Sequence, residues 1–210
     1  MKKIFFAGGA ILGIVSYQGL PPSIPGKAIV VDTAVCGHLS KPEELALSRL
    51  NGIQNAVVFI QGPVKGGKPS VTPDTGVTLT QRKCRFGPHV LIVPLGNPVN
   101  FLNQDPISHH LHFYSRSNPS NSSGASMTFH RPEIFPVRSD VHDWMQAWLV
   151  IADNAYYTLT DEEGRFRLTD VPAGDYTIAL WHEILGKRTK HVLVREGEET
   201  KIDFKLSQDN

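Results

Sequence analysis

The stretch TDEEGRFRLTDVPAGDYTIALWH, residues 160–182, decides the fold class of this chain. It contains two runs rich in β-branched and aromatic residues, GRFRLTD and GDYTIALWH, with the turn sequences DEEG and PAGD at their starts. Gly, Pro and Asp in such turns adopt the backbone conformations that reverse the chain between strands. The stretch therefore predicts a compact β-meander.

Strand-like runs continue along the rest of the chain. They are KAIVVD, NAVVFIQG, HVLIVPLG, PVNFLN, LHFYS, AWLVIAD, YYTLTD, KHVLV and KIDFKL, and most are separated by Gly, Pro, Asn or Asp. Only KPEELALSRL, residues 41–50, has the Pro-led acidic and apolar composition of a helix. The close spacing of the strands predicts an all-β chain of antiparallel β-sandwiches, with a seam near residue 150.

The composition is that of an ordinary globular protein. The 210 residues include 21 Lys and Arg against 20 Asp and Glu, and no basic run alternates with aromatic residues. Nucleic acid and anionic lipid are therefore not expected as partners. The chain also lacks phosphate-binding, serine-nucleophile and haem-attachment motifs. A binding role is expected ahead of an enzymatic one, with an oxidase or reductase as the enzymatic alternative.

The N-terminus predicts export. Two lysines precede a twelve-residue apolar run, Ile4–Val15, which gives way to the polar, proline-rich PPSIPG. This run is much shorter than the ~20 apolar residues that cross a bilayer. Residues 1–20 are therefore interpreted as a signal peptide, and the mature protein as periplasmic or secreted with no membrane span.

Export determines how the only two cysteines, Cys36 and Cys84, are interpreted. An oxidising compartment lets a lone pair persist as a disulfide, and neither residue has the C-x-x-C partner typical of zinc sites. We therefore expect a bridge, which would stabilise the fold by about 4 kcal/mol in the chain-entropy model. The alternative is two free buried thiols.

Histidines are concentrated in the middle of the chain. Imidazole is a common ligand of copper, zinc and nickel, and thioether sulfur favours copper. Outside the cytoplasm, His and Met together therefore point to copper first. Six of the nine histidines lie within this region, followed shortly by a methionine: His89, His109, His110, His112, His130 and His142, then Met145.

The order of these features resembles a cupredoxin-like domain. RFGPHVLIVPLGNPVNFLNQDPISHHLH, residues 85–112, resembles the strand, Gly turn and N-x-D segment that precede the family's first His ligand. VRSDVHDWM, residues 137–145, resembles its late C-x-x-H-x-x-M loop. The resemblance implies a copper site with His109 and His142 as imidazole ligands and Met145 as the axial ligand. Ser139 stands where the family has Cys.

Ser139 changes the chemistry that the resemblance implies. A blue copper centre needs a short Cu–thiolate bond in a plane with two His ligands, and a neutral hydroxyl is a poor replacement. We therefore expect no fast blue-copper electron transfer. His112 and His89 are candidate additional ligands, because both lie near the same end of the predicted sheet. The implied protein holds copper in a non-blue His and Met site for storage, delivery or slow redox work.

The end of the chain resembles a carboxypeptidase regulatory-like, or transthyretin-like, β-sandwich. The patterns T-D-x-x-G-x-F and V-P-x-G-x-Y begin at Thr160 and Val171. Together the two resemblances imply a cupredoxin-like Greek-key β-sandwich over residues 25–152, packed on a smaller β-sandwich over residues 153–207, in an exported bacterial protein. About 55 residues make a thin core, so the smaller domain either packs tightly on the first or takes strands from residues 25–61.

A function of a different class is also open. A metal-free interaction module would present the loops at residues 62–76 and 115–126 to a protein or glycan. The copper hypothesis instead expects a metal ion as ligand and another exported protein, such as a redox partner, as partner. The two hypotheses differ in whether His109, His142 and Met145 converge on one point.

Overall fold

The computed structural model describes residues 8–70, 76–116 and 126–208. None of the described helices is long and apolar enough to cross a membrane. The elements are β1 (Gly9–Tyr17), α1 (Thr33–Cys36), β2 (Val57–Ile60), β3 (Val77–Gln81), β4 (Phe86–Gly87), β5 (Val90–Pro94), β6 (Pro98–Asn103), β7 (His112–Phe113), β8 (Ser126–Thr128), β9 (Glu133–Arg138), β10 (Gln146–Ala152), β11 (Tyr157–Leu159), β12 (Arg165–Val171), β13 (Gly174–His182), β14 (Gly186–Val194), β15 (Glu199–Lys201) and β16 (Phe204–Leu206).

The chain divides into two compact units. Unit 1 comprises Met1–Ser23, Glu44–Pro69 and Asn154–Asn210, and unit 2 comprises Ile24–Glu43 and Ser70–Asp153. The described strands form four sheets of four strands, two in each unit. The expected all-β, sandwich-type fold is confirmed. The domain boundaries predicted at residues 25–152 and 153–207 stay a prediction, and the compact units assign residues 44–69 with the C-terminal strands.

Unit 1 is a β-sandwich with β1 inside one of its sheets. β12 pairs antiparallel with β1, and β15 and β16 pair with it in parallel. The second sheet has the order β11-β2-β13-β14. Side chains of both sheets, including Ile11, Val58 and Ile178, form one buried core. Since β2 lies between β11 and β13, the C-terminal strands do use a strand from residues 25–61.

β1 lies within the segment interpreted from the sequence as a signal peptide. All its odd-numbered residues are buried, and of its even-numbered residues only Ala10 is. This alternation is that of a strand with one face on a core. The composition of a short apolar run is typical both of an export signal and of a buried strand. The signal peptide at residues 1–20 stays a prediction, and its removal would take β1 out of the sheet.

Unit 2 consists of the sheets β5-β10-β9-β7 and β4-β3-β6-β8. β10 pairs with β5 in parallel and with β9 antiparallel, and β3 pairs with β6 in parallel. The sheets are therefore not all antiparallel, although the close spacing of the strands is typical of antiparallel sheets. The parallel neighbours are joined through crossovers rather than tight hairpins. Leu79 and Phe113, one from each sheet, belong to a single buried core.

Residues 41–50 do not form the helix that their composition suggests. Leu47 makes an isolated bridge with Ile53, and the Ser48 hydroxyl accepts the Gly52 N–H at 2.8 Å. A ten-residue run has little helical stability of its own, and Leu47 packs against the core of unit 1 instead.

The segment before α1 also differs from expectation. KAIVVD, residues 27–32, was expected to be a strand, but it contributes only an isolated bridge between Ala28 and Leu39. The chain then turns into α1, where no helix was expected. Asp32 precedes this helix with a left-handed backbone, φ 50°, a conformation that Asp tolerates better than the β-branched residues before it.

Gly13 provides a direct test of β1. A Cβ at this position would meet the carbonyl oxygen of Ile202 at 1.8 Å, and the same stretch of backbone is bonded to β1 through Ile202 N–H and Leu12 O. We expect Gly13→Ala to lower the free energy of unfolding by about 2 kcal/mol or more in urea denaturation.

The matched control is Ile14→Ala, because the Ile14 side chain is next in the strand and 42% exposed. This control should lower the free energy of unfolding by less than half as much as Gly13→Ala. Equal stability of Gly13→Ala and wild type would mean that β1 is not part of the folded protein.

Candidate metal centre

Two of the predicted ligands meet in unit 2. The Nδ1 atoms of His109 and His142 are 3.1 Å apart, and their rings meet edge to face. Both side chains are 0% exposed. Two buried imidazoles whose Nδ1 atoms face each other can both bind the same ion.

Asp105 positions His109. Its Oδ2 atom lies 2.8 Å from His109 Nε2. Its two oxygens also accept the backbone N–H groups of Lys83 and Cys84, at 2.6 and 2.8 Å, while Asn103 Oδ1 accepts the Asp105 N–H at 2.9 Å. Asp105 thereby ties the loop before β4 to the segment between β6 and β7 and fixes the orientation of the ring.

Opposing effects act on the pKa of Asp105. Burial raises this pKa, but the hydrogen bonds from Cys84 N–H, His109 and Lys83 N–H outweigh burial and hold the pKa below its ordinary value of 3.8. Asp105 is therefore an ionised, acceptor-only group at neutral pH. Because a carboxylate accepts and cannot donate, the proton in the Asp105–His109 contact resides on His109 Nε2.

Asp32 holds His142 in the same way. Its Oδ2 atom lies 2.9 Å from His142 Nε2. On the other side of His142, the Ser139 hydroxyl accepts the His142 N–H at 3.2 Å, and the His142 carbonyl accepts the Met145 N–H at 2.8 Å. The loop from Ser139 to Met145 is thus closed by its own hydrogen bonds, and Ser139 acts as a turn-forming acceptor.

The hydrogen-bond pattern determines what can lie between the two rings. Each Nε2 donates to a carboxylate, so two neutral rings would direct the lone pairs of both Nδ1 atoms at each other. A cation, either a second proton or a metal ion, removes this repulsion. Two ligands bound at ~2.0 Å to one tetrahedral ion are ~3.3 Å apart, and carboxylates typically orient metal-bound imidazoles in this way. The pair therefore fits a metal ion.

The other predicted His ligands have different surroundings. His112 stacks on Tyr114 with ring centroids 4.3 Å apart and contacts Asp140 at 3.1 Å. His89 is buried, and its carbonyl accepts the Trp148 N–H. Among the described residues, neither histidine belongs to a group of three potential His, Cys, Asp or Glu ligands. Their role as ligands stays a prediction.

Met145 is buried within the core of unit 2, and its role as axial ligand also stays a prediction. Three histidines outside the predicted ligand set, His38, His130 and His191, are exposed. Of the two loops assigned to a possible interaction surface, residues 71–75 and 117–125 lie outside the described part of the chain.

A disulfide lies beside the His pair. Cys36 and Cys84 are bridged, with their Cα atoms 5.1 Å apart, so the expected disulfide is confirmed. The potential ligand atoms of Cys36, Cys84 and His142 all lie within 4.8 Å of one another, and the same holds for Cys84, Asp105 and His109.

Nothing in the sequence indicated that the disulfide lies beside the His pair, because both cysteines are remote from the VRSDVHDWM loop. Only Asp105 had a sequence signal, the N-x-D segment.

Part of the chain matches a known domain family. The model of the carboxypeptidase regulatory-like domain matches residues 146–207, which confirms the resemblance seen at the end of the sequence. No curated protein matches the chain.

Several solved structures share a partial likeness with the chain. A Cu(I) form of a mutant amicyanin is 15% identical over 45% of this chain and 98% of its own, with a TM-score of 0.34. The Cu-containing nitrite reductase of Thermus scotoductus SA-01 is 21% identical over 44% of this chain and 25% of its own, with a TM-score of 0.34. A purple cupredoxin from Nitrosopumilus maritimus is 14% identical over 36% of this chain and 99% of its own, with a TM-score of 0.32. Likenesses at this level carry no argument about function.

Asp105→Asn should destabilise the metal-free protein in a pH-dependent manner. The folded-state pKa of Asp105 is lowered, so its contribution to the free energy of unfolding is complete above its unfolded pKa of about 3.9 and is lost as the pH falls through the folded-state pKa. We expect a difference of about 1–3 kcal/mol from wild type at neutral pH, shrinking in more acidic buffer when measured by chemical denaturation.

The matched control is Asp143→Asn, because the Asp143 side chain is 76% exposed in its pair with Lys27. Its effect should stay below about 1 kcal/mol throughout the pH series. A loss in Asp105→Asn that stays constant into strong acid would contradict the assigned role of the Asp105 carboxylate.

Proposed function

We propose that this protein binds a metal ion, copper first, in a non-blue site built on His109 and His142. The observation that carries the proposal is the 3.1 Å approach of the two buried Nδ1 atoms, each on a ring held at Nε2 by a carboxylate. Such a pair is oriented before any ion arrives, so binding requires little reorganisation. Met145 is the proposed third ligand, with His112 and His89 as additional candidates.

The ligand set favours copper without the blue-copper thiolate. Imidazole suits Cu(II) and Cu(I), and a thioether adds preference for Cu(I). Ser139 does not replace the thiolate, because its hydroxyl oxygen is used to accept the Val141 and His142 N–H groups. The site therefore suits storage, delivery or slow redox work rather than fast electron transfer.

The proposed location is the periplasm or the cell exterior. Both cysteines of the chain are joined in a disulfide, and a structural disulfide persists best in an oxidising compartment. The proposed partner is accordingly another exported protein, which would deliver the metal, receive it or exchange electrons with it.

The competing function is a metal-free interaction module. In that case the His pair would share a proton instead of a metal ion, and the pair would serve only packing. The two functions differ in one measurable property, the affinity of the intact protein for copper.

Copper titration of the disulfide-bonded protein tests the proposal. We expect one copper ion per chain at micromolar or lower dissociation constant, with weak visible absorption because no Cu–thiolate bond forms. His109→Ala combined with His142→Ala should weaken binding by roughly 100-fold or more, since both anchoring imidazoles are lost. The matched control is His110→Ala with His130→Ala, two exposed histidines of the same region, which should leave the affinity unchanged.

Two results would overturn the proposal. If the wild type binds no copper at micromolar concentration, the interaction module is the better description. If the His109 and His142 double variant keeps full affinity, the copper is held by other residues.

Met145→Leu tests the third ligand separately. Leu fills nearly the same volume in the core as Met, so the variant removes the sulfur with little effect on packing. If Met145 is a ligand, Cu(I) affinity should fall by roughly tenfold and Cu(II) affinity by less, because the thioether prefers Cu(I). Equal Cu(I) affinities for variant and wild type would exclude Met145 from the site.

A further inference from the structure

The disulfide and the His pair form one continuous cluster. Cys84 Sγ belongs both to the group with Cys36 and His142 and to the group with Asp105 and His109, and each group lies within 4.8 Å. The His pair in turn is in direct contact. Two sulfur and two imidazole nitrogen atoms are thus gathered in one small region of unit 2, in which Cys84 and His142 are buried and Cys36 is half-buried.

We propose that Cys36 and Cys84, once reduced, join His109 and His142 in a tetrahedral centre with two sulfur and two nitrogen ligands. Such a ligand set takes Zn(II) or Cu(I). The disulfide then decides which of two forms the metal site has: imidazole-based when oxidised, thiolate-based when reduced. The inference rests on the proposed function in that it uses the same His pair.

A dithiol can reduce the Cys36–Cys84 disulfide. A dithiol transfers two electrons and two protons to the Cys36–Cys84 bond, which opens to two thiols while the dithiol becomes a cyclic disulfide. Binding of a divalent ion then releases the two thiol protons to solvent and forms two metal–sulfur bonds. Reoxidation by a disulfide, which takes up two electrons and two protons and becomes two thiols, re-forms the Cys36–Cys84 bond, removes both sulfur ligands and weakens the site.

A pocket gives access to the disulfide. It has a volume of about 240 Å³ and is lined by Cys36, Cys84, Lys41, Lys83 and Arg85, among others. An attacking thiolate that enters this pocket comes next to three cationic residues, whose positive charges attract it. The pocket therefore suits the reduction step.

The two sulfur atoms must move apart to bind one metal ion, and the structure around Cys36 allows this movement. Two thiolate ligands of one ion lie ~3.8 Å apart, so the sulfurs must separate by almost 2 Å from the ~2.05 Å of a disulfide. Cys36 ends α1, a four-residue helix with no buried residue. Cys84 is held more firmly, since its N–H is bonded to Asp105 and its carbonyl accepts the Trp144 indole N–H. We expect Cys36 to move and Cys84 to stay.

Zn(II) and Co(II) titrations of the oxidised and the dithiol-reduced full chain test the inference. The reduced protein should bind Zn(II) roughly 100-fold more tightly than the oxidised protein, because thiolates are added to the ligand set. With Co(II) it should gain the near-ultraviolet thiolate charge-transfer band and the strong visible bands of a tetrahedral site. The chain has only two cysteines, so once the dithiol is removed the thiolate charge-transfer band can arise from Cys36 and Cys84 alone.

Two variants provide controls. Cys36→Ser with Cys84→Ser should give the same affinity with and without reductant and no thiolate band. His109→Ala with His142→Ala, when reduced, should lose the tetrahedral visible bands. Alkylation of the reduced wild type provides the same control as the cysteine variant if that variant does not fold, and near-ultraviolet circular dichroism reports folding throughout.

The outcomes separate this inference from the proposed function. Thiolate bands that persist without both histidines, or equal affinities of oxidised and reduced wild type, would overturn it. A reduced chain that neither binds Zn(II) nor recovers its fold with Zn(II) would also overturn it. If the oxidised protein binds no metal but the reduced protein does, the proposed function is contradicted. The thiolate bands of the reduced protein would still support the reduced site.

Discussion

The Cys36–Cys84 disulfide is the constraint on which the candidate site depends. Cys36 ends the short helix that Asp32 precedes, and Asp32 holds His142. Cys84 donates its backbone N–H to Asp105, which holds His109. The covalent bond therefore links the segment that carries Asp32 to the segment that is hydrogen-bonded to Asp105. It adds to the hydrogen bonds and core packing that position the two rings.

The electrostatics of the pair follow from this arrangement. Two carboxylates at the outer nitrogens direct both inner nitrogens towards each other. The negative charges of Asp32 and Asp105 also favour any positive charge placed between the rings. Both imidazoles and the Asp105 side chain are almost completely buried, so water screens the attraction of Asp105 poorly, whereas Asp32 is 42% exposed and its attraction is screened more. Burial by itself disfavours a cation, because the cation loses its hydration, so the two carboxylates are what favours a cation between the rings.

The sequence predicted the fold class because strand alternation is a local property. β2, β10 and β13 were all recognised from their β-branched and aromatic residues. The parallel pairing of β10 with β5 could not be recognised, since register between remote strands has no local signature. β1 was assigned to export because a short apolar run after lysines has the composition of a signal peptide and of a buried strand alike. At the site, the resemblance of the motifs and their spacing to a cupredoxin-like domain identified His109 and His142 as candidate ligands. Asp32 lies far from both in the sequence, and no sequence pattern marked it as a partner of His142.

Ser139 and Cys84 have different roles beside the two histidines. The Ser139 hydroxyl holds the loop, whereas the Cys84 sulfur is the proposed ligand. Ser139 keeps the loop closed by accepting N–H groups from Val141 and His142, which fixes the His142 backbone without offering a ligand. Sulfur reaches the same histidines from the loop before β4 instead. A permanent thiolate at position 139 would bind copper under all conditions. Sulfur held in a disulfide can bind only after reduction, so the supply of a soft ligand becomes dependent on redox state while the imidazole pair stays in place.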